Sequence, residues 1–178
     1  GNVRDLMVQL AKDGAMLIYL NGIYNMASAP DENFGREVME LFTLGVDSGY
    51  TQDDVAAAAR VFTGWSVTEW SGSTRILPTV VFTPANHDQN DKQFSPFFND
   101  TVIQGQSGAN GGSLEIEAFM DMIFANETSS RFIVRELYRW FVRTDIAPEV
   151  EDDLIEPLAQ LFRDHVGSPD QMEVVLKA

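Results

Sequence analysis

The chain of 178 residues has no cysteine, which excludes disulfide frameworks, thiolate nucleophiles and cysteine-ligated zinc. Positive charge is also scarce: 12 Lys and Arg stand against 27 Asp and Glu, a formal net charge of -15. Nucleic acid and anionic membrane surfaces attract cationic proteins, so the average surface here would repel both. No apolar run approaches the roughly 20 residues of a spanning helix. The sequence also lacks a G-x-S-x-G elbow, a G-x-x-x-x-G-K-S/T phosphate loop and a G-x-G-x-x-G turn. What it does hold is core material: 44% of residues are apolar and 11% aromatic. A chain of this length buries roughly 70% of its unfolded surface, so residues 1–178 are expected to form a single domain.

Apolar periodicity predicts a mainly α fold, a compact multi-helix domain with a small β-hairpin or short sheet inserted around residues 66–104. Two short helices are expected between Val3 and Leu20, burying Leu6, Leu10, Met16, Leu17 and Leu20 and broken at Asp13-Gly14. A helix from Phe34 to Leu44 places Phe34, Val38, Leu41 and Phe42 on one face and Asn33, Arg36, Glu37 and Glu40 on another, with Gly45 closing it. Thr51 to Asp54 has capping-box form and starts a helix whose alanines, Ala56 to Ala59, let a neighbour come close. Val67, Ile76 and Val80 to Phe82 suggest a hairpin, with Thr101 to Gln104 as a third strand. Asn86 to Lys92 and Gly105 to Gly112 are expected as surface loops. Helices follow over 114–124, 129–142 and 148–166, with a kink or restart at Pro157, and a last one opens at Ser168-Pro169.

Several segments carry a family likeness: Asn33-Phe34-Gly35-Arg36-Glu37-Val38-Met39-Glu40-Leu41, Thr43-Leu44-Gly45, Gly49-Tyr50-Thr51, Asp54-Val55, Ala59-Arg60, Thr63-Gly64-Trp65, His87-Asp88 and Lys92. Together they resemble the bacterial family of proteins of unknown function numbered 1800. The resemblance extends to Ser130-Arg131-Phe132-Ile133 and covers nearly the whole chain. It implies a largely helical fold and no known catalytic residues. It also implies a longer parent chain and an exported, periplasmic or cell-surface setting.

The chemistry is therefore argued from side chains. Asn33, Arg36, Glu37, Glu40, Arg60, His87, Asp88 and Lys92 form a candidate polar cluster in which arginines hold carboxylates and tie the Arg36 helix to the His87 loop. Glu37 and Glu40, three apart on a helix, with His87 and Asp88 make an alternative divalent-metal set. Arg131, Arg135, Arg139 and Arg143 recur every four residues ahead of an acidic run, which favours internal pairing over an anion stripe. Trp65 and Trp70 could present a carbohydrate or peptide platform, with core or hairpin packing as the competing reading. The first expectation is a non-catalytic binding or assembly module of an exported bacterial protein, taking a protein, peptide or carbohydrate partner and needing no cofactor. The rival is a metal-assisted hydrolase using Glu37, Glu40, His87 and Asp88.

Overall fold

A computed structural model describes residues 1–178. It is mainly α-helical with a short antiparallel hairpin. Helix α1 (Val3–Leu10) is capped by Asn2, whose side chain accepts from the Asp5 amide, and α2 (Gly14–Tyr19) by Asp13, which accepts from Ala15 and Met16. Leu17 and Leu20 are buried as expected, whereas Leu6 is exposed, because Val3, Met7 and Val8 form the inward stripe of α1.

Helix α3 (Glu32–Glu37) continues as a π-helical turn over Val38–Thr43. In that turn, residues five apart stack on one face. Val38 pairs inward with Thr43, whose hydroxyl donates to the Val38 carbonyl at 2.7 Å, and Met39 pairs inward with Leu44. Leu41, predicted inward from a regular helical wheel, is consequently 57% exposed. Helix α4 (Gln52–Val61) opens with the expected capping box of Thr51 and Asp54. It packs on α3 where Gly35 meets Ala58 and Ala59, a contact so close that a β-carbon on Gly35 would stand 3.1 Å from the Ala58 methyl.

The hairpin comprises β1 (Trp65–Ser71) and β2 (Thr74–Phe82). The predicted third strand exists but does not join it: β4 (Val102–Ile103) pairs instead with β3 (Lys92–Gln93) as a separate two-stranded ladder. The segment expected as a surface loop keeps Asn86, Gln89, Asn90 and Asp91 exposed, but His87 and the β3 residue Lys92 turn inward and are buried. The glycine-rich segment is likewise only partly a loop, since Gly111 and Gly112 form the buried first turn of α5 (Gly111–Ala125).

Helix α5 is the central element. It buries Ile116, Phe119, Met120 and Ile123 and touches α1, α4 and α6 (Glu127–Phe141). A short α7 (Pro148–Val150) leads into a second π-helical turn, Glu151–Ile155, and then α8 (Glu156–Asp164), so the irregularity falls just before Pro157. Helix α9 (Gln171–Lys177) starts later than predicted, after a turn at Pro169 and with Asp170 at its cap. Buried Gln171 accepts the Val3 amide at 3.0 Å and donates to the Phe162 carbonyl at 2.9 Å, which joins the first helix to the last two.

Candidate functional site

The polar residues singled out in the sequence separate into two groups, and no hydrogen bond or ion pair joins them. The first lies on α3. Arg36 contacts Glu32 at 3.0 Å, Glu40 at 3.5 Å and the Gln52 side chain at 2.9 Å. Its side chain remains 34% exposed, so this is a partly solvated network and not a buried tie to the His87 loop. Asn33 secures the preceding loop by donating to the Leu20 carbonyl at 3.0 Å. Glu37 has no ion-pair partner. Glu40 lies beside the Tyr50 hydroxyl without an aligned hydrogen bond; burial first, and the Glu40 charge second, push the Tyr50 phenol up to about 12.

The second group is interior. Thr63, at the C-terminal end of α4, organises it. Its hydroxyl donates to the Arg60 carbonyl at 2.7 Å and accepts the Asp88 amide at 2.9 Å, while its carbonyl lies 3.0 Å from His87 Nδ1. Since a carbonyl only accepts and the Thr63 proton is already committed, Nδ1 carries a proton. The other ring nitrogen, Nε2, faces Glu115 Oε1 at 3.0 Å, and Glu115 Oε2 lies 2.6 Å from Lys92 Nζ. All three side chains are at most 1% exposed. Neither Nε2 nor Oε2 is aligned for a hydrogen bond, although both are within ion-pair range. Between Lys92 and Glu115 the short separation governs, because attraction between opposite charges depends on distance far more than on angle. Lys92 also donates to the Asp88 carbonyl, and Glu115 Oε1 accepts the Gln106 amide at 2.7 Å.

Arg60, in the last turn of α4, grips Asp88 with two nitrogens at 2.6 and 3.3 Å and donates to the Asp91 carbonyl at 3.0 Å. Burial by itself would raise the Asp88 pKa, but the bonds from Arg60 and from the amide and side chain of Asn90 outweigh it and hold the carboxyl well below the usual carboxylate range. Arg60, His87, Asp88 and Lys92 are thus brought together, without Asn33, Arg36, Glu37 and Glu40. Sequence reasoning missed Glu115, on which two of them converge. Its signal was a carboxylate four residues before Phe119 on the apolar stripe of α5.

A segment-spanning match confirms the likeness noted in the sequence: the profile described as protein of unknown function (DUF1800) matches residues 1–178. The chain belongs to the DUF1800 family. Neither a curated protein nor a solved structure matches it. The motif segments of this DUF1800 chain accordingly acquire a structural meaning: Ala59-Arg60, Thr63-Gly64-Trp65, His87-Asp88 and Lys92 build the interior charge network, and the Asn33 to Leu44 run builds the α3 turn that packs on α4.

The proposed metal set does not assemble. His87 faces Glu115 and Asp88 faces Arg60, away from Glu37 and Glu40, and no three His, Asp or Glu side chains are grouped to hold an ion. The tryptophan platform also separates: Trp65 is buried against Phe82 with ring centroids 4.9 Å apart, while Trp70 is 58% exposed. The arginine row pairs internally, Arg131 with Glu127 and Glu156, Arg135 with Glu151 and Arg139 with Glu136, leaving Arg143 without an ion pair. What the row frames is an apolar trough of about 490 Å³ between α6, the second π turn, α8 and α9. All 10 of its lining residues are hydrophobic.

Proposed function

We propose that the chain is a binding or assembly module that presents the trough between α6, α8 and α9 to a partner. The observation that carries this reading is the exposure at the end of α6, where Trp140, Phe141 and Val142 are consecutive and each at least 66% exposed. Phe141 and Val142 line the trough with Leu137, Leu154, Leu158 and Leu176. Contiguous exposed apolar surface on an acidic protein is characteristic of an interaction site. The interior charge network supports the same reading from the other side. Its His87, Lys92 and Glu115 side chains are at most 1% exposed, which suits them to holding α4, β3 and α5 in register.

Binding of an apolar fluorescent dye, 8-anilinonaphthalene-1-sulfonate, tests the proposal. Saturable one-site enhancement is expected in the native protein and should be lost in Phe141→Ser/Leu154→Ser with the circular dichroism unchanged. Enhancement that survives those substitutions, or never occurs, places the function elsewhere.

A further inference from the structure

The trough has a chemistry that narrows its occupant, and the inference rests on its being a docking site. Small-molecule sites place a few polar groups among apolar walls to fix orientation. Here every lining residue is hydrophobic, and the walls are three helices lying against one another, α6 on α8 and α8 on α9. An open channel of this kind, whose one polar side-chain group is the Tyr138 hydroxyl, matches the apolar stripe of one further helix, whose backbone bonds are already satisfied internally.

The unpaired charge nearby is mostly negative. Asp145, Glu149, Asp152 and Asp153 are exposed and lack ion-pair partners, and Asp152 and Asp153 directly precede the trough residue Leu154. Arg143 is the unpaired cation on this side, since Arg139 is held by Glu136. Like charges brought together across an interface oppose association, so an acidic partner is disfavoured. A second copy of this chain, with net charge -15, would bring the same carboxylates with it.

We propose that the trough takes the apolar stripe of a basic amphipathic helix, with its Lys or Arg residues facing Asp145, Glu149, Asp152 and Asp153. The leucine-type stripe supplies the buried area, and the flanking cations supply rate of encounter and choice of partner.

Two synthetic helical peptides test this, with one shared leucine stripe but flanked throughout by Lys in one and by Glu in the other. Fluorescence anisotropy against the intact protein should show the Lys peptide binding more tightly by about tenfold, the combined effect of several screened surface pairs. The preference should shrink as salt rises and vanish in Asp152→Lys/Asp153→Lys. Both peptides should lose affinity in Phe141→Ser/Leu176→Ser, whose exposed positions keep the fold intact. Equal binding of the two peptides would overturn the basic partner while leaving the docking site. Dye binding without peptide binding would overturn the helix, and failure of dye and peptides alike would remove the docking reading itself. Concentration-dependent dimerisation in sedimentation, abolished by Phe141→Ser, would overturn the proposal in favour of a second copy.

Discussion

Glu115 shows how one buried carboxylate can be tolerated in a core. Taking it out of water costs several kcal/mol, and Lys92 on one oxygen with the Gln106 amide on the other offsets that cost. Lys92→Met strands the carboxylate and should destabilise by about 3–5 kcal/mol, whereas Lys92→Met/Glu115→Leu should recover most of the loss. Urea melts decide: a double variant as unstable as the two single losses summed would show that the residues act independently. Arg36→Ala should behave differently, losing at most about 1 kcal/mol, because its contacts are partly solvated. Asp88 adds a pH dependence with a definite sign. Its folded pKa lies below the unfolded value of roughly 3.9, so its contribution is complete above that value and is lost as pH falls toward the folded one. The stability gap between the parent and Asp88→Asn should therefore narrow as pH drops from about 5 to about 2. A gap constant across that window would mean that the Arg60 contact does not depend on the charge.

At the scale of elements, Gly35 sets local propensity against packing. Alanine would favour an isolated helix by up to about 1 kcal/mol, yet its methyl group would press on Ala58 and on the Ala59 amide nitrogen, each 3.1 Å away. Overpacking of that kind typically costs about 1–3 kcal/mol, so Gly35→Ala should lower the melting temperature. An unchanged or raised value would mean that α3 and α4 can move apart freely. The elements should also open unequally. Helix α5 has core on several sides, while most of β2 is exposed, so hydrogen exchange should be slowest over Ile116 to Phe124 and fastest in the hairpin around Trp70 to Leu77. Uniform protection across the two would contradict a core centred on α5.

At the scale of the whole molecule, net charge and apolar surface are arranged separately. The row Arg131, Arg135 and Arg139 is neutralised by nearby glutamates, while Asp145, Glu149, Asp152 and Asp153 stay unpaired. The sequence alone determined the mainly α class, the hairpin, the Thr51 cap, the pairing of the arginine row and the family. The class, the hairpin and the cap depend on residues close in the chain, where helical and strand periods and capping distances are set by covalent geometry. The tertiary structure decided the remainder. The π turn rotated Leu41 outward, the contact with Thr63 held His87 and the β3–β4 ladder held Lys92 in the core, and α5 delivered Glu115 to them from more than twenty positions downstream of Lys92. A helical wheel assumes a uniform period, and one inserted residue per turn breaks it. Contacts between distant segments depend on which strands pair and which helices pack, and those choices are made by the energy of the whole core.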